Sequence, residues 1–214
     1  MQRFITVSIR HGTKISPIFQ SIGNNRLINV CYNVLYLYNR ITFRGVTDME
    51  LWDAYNAQYE KIDGMTLVRG EESTIPDGVY HLVCNVLVKH TDGSYLLMQR
   101  DPRKTSPLKW EATAGGSALK GETPEECAER ELFEETGITA SSLTEISRLV
   151  FDSTHCLYYH YLCVTYCEKD SIRLQDGETC AYRWASRDEV IAMSDDETVS
   201  IRMREYLRNN VSND

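Results

Sequence analysis

The segment Gly116 to Ile138 restricts what this chain can fold into more tightly than any other. Inside it, Thr123-Pro124-Glu125-Glu126 predicts a helix start, with a threonine N-cap, proline at the first helical position and a glutamate placed to close a capping box. Gly137 predicts the C-terminal stop. Along that helix, at about 100° per residue, Glu131, Glu134 and Glu135 fall within roughly a third of the circumference. Carboxylates so placed repel one another, and a stable fold must supply positive charge. A hard divalent cation such as Mg²⁺ suits oxygen ligands and usually binds substrate phosphates as well. Arg130 is able to hold a carboxylate through two parallel hydrogen bonds. Glu122, just before the cap, can reach back to the same place or support its loop. The pair Gly115-Gly116 permits close approach of the backbone, with a carbonyl oxygen to offer a metal.

Taken singly, three glutamates on a helix describe an ordinary solvated face. The full spacing does not. The chain satisfies G-x5-E-x7-R-E-U-x-E-E-x-G-U, U being aliphatic, at Gly116, Glu122, Arg130, Glu131, Leu132, Glu134, Glu135, Gly137 and Ile138. On average composition a chance match in a chain of this length is on the order of one in ten million.

The flanks alternate between strand and helix patterns. Residues 50–55 and 61–68 predict short strands about a turn, with Gly64 supplying backbone freedom. Residues 80–89 read as a buried strand, Asp92-Gly93 as a hairpin turn, and 95–99 as the returning strand. Residues 147–151 and 158–166 form a later strand pair. Ser186-Arg187-Asp188-Glu189 is a second capping box, and a last amphipathic helix uses Val199, Met203, Tyr206 and Leu207. Strands before, between and after helices indicate a mixed α/β layer fold.

The segment of 23 residues from Gly116 to Ile138 resembles the Nudix box. The resemblance implies an α/β/α sandwich with a mixed β-sheet, and a pyrophosphohydrolase that cleaves a nucleoside diphosphate linked to another moiety by water attack at phosphorus. It implies that Glu131, Glu134 and Glu135, with the carbonyl of Gly115, bind Mg²⁺ or Mn²⁺, and that Glu122 and Arg130 order the loop and helix. The general base is open between Glu135 and Glu178, in the late loop 175–178. Arg100, Arg103 and Lys104 either hold phosphate oxygens or form a solvated basic loop. Tyr80, His81, Trp110 and Tyr182 either line a substrate pocket or pack the core, and His155 and His160 are read as structural. A homodimer is compatible with the family.

Glu50-Leu51-Trp52-Asp53-Ala54-Tyr55-Asn56, with Gly64, Arg69-Gly70 and Tyr80-His81, resembles a bacterial Nudix group related to isopentenyl-diphosphate isomerase. That enzyme shares the fold but moves a double bond by proton transfer. It needs a cysteine ahead of an altered box. Here Trp110-Glu111-Ala112-Thr113-Ala114 has none and the box is intact, which favours hydrolysis. A non-catalytic nucleotide sensor is the other alternative, but sensors lose box carboxylates and none is missing.

Charge narrows the partners. A formal net charge of -8 disfavours broad binding to nucleic acid or anionic membrane, so a small anionic substrate needs local cations or metal ions. No run reaches the roughly 18 to 20 apolar residues of a membrane helix. The seven cysteines are odd in number and lack C-x-x-C spacing, which fits core thiols in a reducing cytoplasm. Residues 1–48 differ in character: they hold six basic side chains and one acid, and subtraction from totals of 23 and 31 leaves 17 and 30 for residues 49–214. The first part reads as an N-terminal extension with a strand or partner-binding segment at 28–42, and translation is expected to begin at Met49. The remainder, 49–214, is the expected Nudix domain.

Overall fold

The computed structural model describes residues 49–210, and the expectations for 1–48 lie outside them. Strands β1 (Leu51–Tyr55) and β2 (Lys61–Val68) form an antiparallel hairpin in the register Leu51↔Val68, Trp52↔Leu67 and Asp53↔Thr66. Its turn is made by Asn56, whose side-chain oxygen accepts from the backbone N–H groups of Gln58 and Glu60, an Asx-type closure. Gly64 therefore lies within β2 rather than at the turn, in a left-handed conformation opposite a register shift. The hairpin buries Trp52 against His81, the rings stacked 4.0 Å apart, and braces the loop ahead of the central helix. The backbone N–H of Lys120 donates to the Leu51 carbonyl at 2.8 Å, and that of Gly121 to the Asp53 carboxylate at 2.8 Å.

The second sheet is mixed. Strand β3 (His81–His90) runs parallel to β8 (Cys156–Thr165) and antiparallel to β6 (Thr113–Ser117), and β7 (Thr144–Phe151) closes one edge against β8. Strand β4 (Tyr95–Arg100) meets β3 at the hairpin and then pairs with β5 (Trp110–Glu111) and β9 (Thr179–Ala185). Side chains alternate across β3 and β4 with period two. Leu82, Cys84, Val86, Val88, Leu96 and Met98 face helix α1 (Pro124–Thr136) and its buried Cys127, Ala128 and Leu132. Leu87, Tyr95 and Leu97 face the other way, onto Val190 of α2 (Arg187–Ala192) and Met203 and Leu207 of α3 (Ile201–Asn209). Helices on both faces of a mixed sheet make the α/β/α sandwich that the sequence implied.

Both expected capping boxes form, at Thr123 and Ser186, and Gly137 caps α1 with φ 75°. Val199 falls outside α3. Strands β5, β6 and β9 had no strong sequence signal: β5 has only two residues and β6 carries a glycine pair. Short strands depend on long-range partners more than on local pattern.

Candidate active site

Helix α1 and strand β6 build the site together. Because α1 packs on the β3–β6 pair, its carboxylate face closes onto the backbone of Gly115 and Gly116. A Cβ on Gly116 would lie 2.6 Å from a Glu131 carboxylate oxygen. A Cβ on Gly115 would lie 2.2 Å from the Cys84 carbonyl oxygen of β3. The two glycines serve different purposes: one lets the strands pair closely, the other makes room for the carboxylate.

Arg130 is the organising cation. Its guanidinium donates to both Glu122 oxygens, at 2.6 and 2.8 Å, to Glu131, and to the Ser117 carbonyl at 3.1 Å, with Glu134 at 3.7 Å. Burial opposes its charge, but the bonds to Glu122 and the charge of Glu131 outweigh that and hold it protonated. Glu122 also accepts from the Leu119 N–H at 2.8 Å, so it ties the loop to the helix and is spent on that task. Replacing Arg130 with alanine leaves two largely buried carboxylates, Glu122 and Glu131, without their cation. The expected cost is about 3 kcal/mol of stability, seen as a melting temperature lowered by about 10 °C. Arg130→Lys should recover only part of it, because an ammonium lacks the two-pronged fork.

Glu135 and Glu131 are both held above the ordinary carboxylate range. Burial pushes the Glu135 carboxyl well up, and the charges of Glu111 and Glu131 add to it, while Lys104 and a hydrogen bond from the Gly115 N–H oppose it. Burial likewise raises Glu131, against the pull of Arg130. Among the described residues no three acidic, histidine or cysteine side chains converge as they stand on one ion-sized point. The donor set nevertheless fits a hard divalent cation: clustered carboxylate oxygens, with the proton affinity of Glu131 and Glu135 raised first by burial and then by neighbouring carboxylates.

The sequence missed Glu111. It lines the approach to Glu135 and accepts from Arg100 at 2.8 Å. No local pattern gives it: the chain bends at Ala112 between β5 and β6, so strand alternation does not carry from Thr113 back to Glu111. The basic loop is largely engaged with acids of its own chain. Arg100 is held by Glu111 and by the Thr105 carbonyl, and Arg103 grips Asp101 and Asp176. Lys104 pairs with Glu178, which brings the late loop beside Glu135.

A cavity of about 480 Å³ shares Arg100 and Glu111 with this region and is lined further along by Phe151, Tyr158, His160 and Arg202. Tyr80, His81, Trp110 and Tyr182 are not among its walls. Tyr80 donates to Asp152, His81 stacks on Trp52, Trp110 packs beside the α2–α3 cluster, and Tyr182 packs on the α1 side. His155 contacts the Val79 carbonyl, whereas His160 lines the cavity.

The NUDIX domain family matches residues 79–209. The chain is 31% identical to an uncharacterized Nudix hydrolase of Listeria monocytogenes over 146 residues, 68% of this chain and 85% of that protein. A crystal structure from Deinococcus radiodurans superposes with a TM-score of 0.59 at 19% identity, covering 75% of this chain and 98% of that one, a likeness of fold. The MutT protein of Methanosarcina mazei superposes with a TM-score of 0.50 at 25% identity, covering 64% and 94%. The chain belongs to the Nudix family, and is an enzyme of its pyrophosphohydrolase type.

Proposed function

We propose that the site hydrolyses the diphosphate linkage of a nucleoside diphosphate joined to another moiety, with Mg²⁺ or Mn²⁺ as cofactor. The observation that carries this reading is the closure of the α1 carboxylate face onto the Gly115-Gly116 backbone beside the cavity. Glu131, Glu134 and Glu135, with the Gly115 carbonyl, are the residues that would hold the metal. When bound, such an ion neutralises the diphosphate and makes water a better nucleophile. Arg130 and Glu122 keep the helix and its loop in place. Lys104 is poised to meet a phosphate oxygen, and in doing so it releases Glu178 from its ion pair. Either Glu178 or Glu135 then takes the proton of the attacking water. The six described cysteines are free thiols, which accords with a cytoplasmic setting.

The test incubates the full chain with Mg²⁺ or Mn²⁺ and a panel of nucleoside diphosphate compounds, with isopentenyl diphosphate alongside. Metal-dependent release of a mononucleotide supports the reading. Formation of the allylic isomer without phosphate release would overturn it in favour of isomerase chemistry.

A further inference from the structure

Two arginines line the cavity, and they are used differently. Arg100 is committed to Glu111 and to the Thr105 carbonyl. Arg202 lies over the Phe151 ring at 4.2 Å and, among the described residues, makes no hydrogen bond or ion pair. Tyr158 stands edge-on to Phe151 at 5.2 Å and stacks with His160 at 5.8 Å. The His160 ring is held between Ser147 Oγ and the Asn85 amide, and burial lowers its pKa to about 4, so it is neutral. Glu111 is on β5 and Phe151 on β7, at opposite edges of the sheet. The cavity thus joins the Arg100–Glu111 pair, whose carboxylate acts on Glu135, to an aromatic end that carries one unspent guanidinium.

We propose that Arg202 is a specificity-determining residue that selects diphosphate substrates whose cavity-bound moiety carries a second anionic group, a phosphate or a carboxylate. This rests on the hydrolase reading above. The physical argument is complementarity. A guanidinium offers a planar fork matched to either group. The Phe151 face holds it in place without using its N–H donors. A substrate with its diphosphate beside Glu135 and a neutral far end would leave that fork unused.

The test uses matched pairs that differ by one anionic group: coenzyme A against dephospho-coenzyme A, and UDP-glucuronate against UDP-glucose. On the full chain, kcat/KM is measured for each, and Kd by calorimetry in the Glu135→Gln background. The more anionic member of at least one pair should be favoured by about tenfold, chiefly through KM and Kd. In Arg202→Gln that ratio should fall to near one, with Arg202→Lys intermediate. Phe151→Leu, which removes the supporting ring face, should lower it in part. A ratio unchanged by Arg202→Gln, no preference in either pair, or no binding of any member would each overturn the proposal. An Arg202-dependent binding ratio without any turnover would sink the hydrolase reading and leave this inference standing.

Discussion

Glu135→Gln is expected to lower kcat by about a thousandfold while making the metal-free protein more stable, since in the proposed reaction Glu135 is a metal-holding carboxylate and it is also a buried acid. The two effects have one cause. In the folded chain the Glu135 carboxyl is raised well above its ordinary range, first by burial and then by the charges of Glu111 and Glu131. Between the ordinary carboxylate pKa and that raised value the folded state binds more protons than the unfolded state, so stability falls as pH rises through this window. Above the ordinary carboxylate pKa this group works against the fold, whether it ionises or takes up a proton there. Glutamine removes the charge and keeps the shape, and about 1 kcal/mol of added stability is expected, or a rise of roughly 2 to 4 °C in the melting temperature. Thermal melts in chelator across pH 5 to 8 check this, with the gain over wild type growing towards the alkaline end. A variant less stable than wild type at pH 8 would refute the electrostatic account. Adding Mn²⁺ should reverse the order: an ion at a hundred times its dissociation constant stabilises the wild type by about 2.7 kcal/mol, and the variant by less.

The two glycine-to-alanine exchanges at the start of the box should separate stability from activity. In Gly115→Ala the new methyl would sit 2.2 Å from the Cys84 carbonyl and 2.9 Å from the Asn85 Cα, both backbone atoms of the central strand. Neither can move without breaking the β3–β6 pairing of Asn85 with Gly115. The expected loss is about 3 kcal/mol, near the top of the range for overpacking, and a melting temperature lower by about 10 °C. In Gly116→Ala the closest atoms belong to the Glu131 side chain, the nearest at 2.6 Å. A side chain can swing away. The fold should then lose only about 1 kcal/mol, while activity falls by about a hundredfold because Glu131, a metal-holding carboxylate in the proposed reaction, is displaced by an ångström or so. Paired melts and steady-state assays read the contrast. Equal losses of stability in the two variants would show that Glu131 is as rigidly held as the strand backbone.

Some of this protein was decided locally and could be read in one dimension. The capping boxes at Thr123 and Ser186 and the stop at Gly137 are fixed by hydrogen bonds spanning three or four residues, so residue identity and spacing suffice. The grouping of Glu131, Glu134 and Glu135 follows from helical period alone. The buried strand at β3 announced itself by its run of Leu, Val and Cys.

Other features arose only when distant segments met. Glu111 became a neighbour of Glu135 because β5 and β6 place it on the face to which α1 presents its carboxylates. The commitment of Arg103 to Asp176, and of Lys104 to Glu178, depends on loops more than seventy residues apart. No pattern in either loop specifies that pairing. His160 and Arg202, ordinary surface or core residues by sequence, share a cavity because β8 presents His160 towards the start of α3. Local hydrogen bonding and periodicity determine which residues lie on one element and which way they point. Which carboxylate is raised, which cation stays unspent and which cavity they share are set by burial and charge between elements, and those exist only in the folded chain.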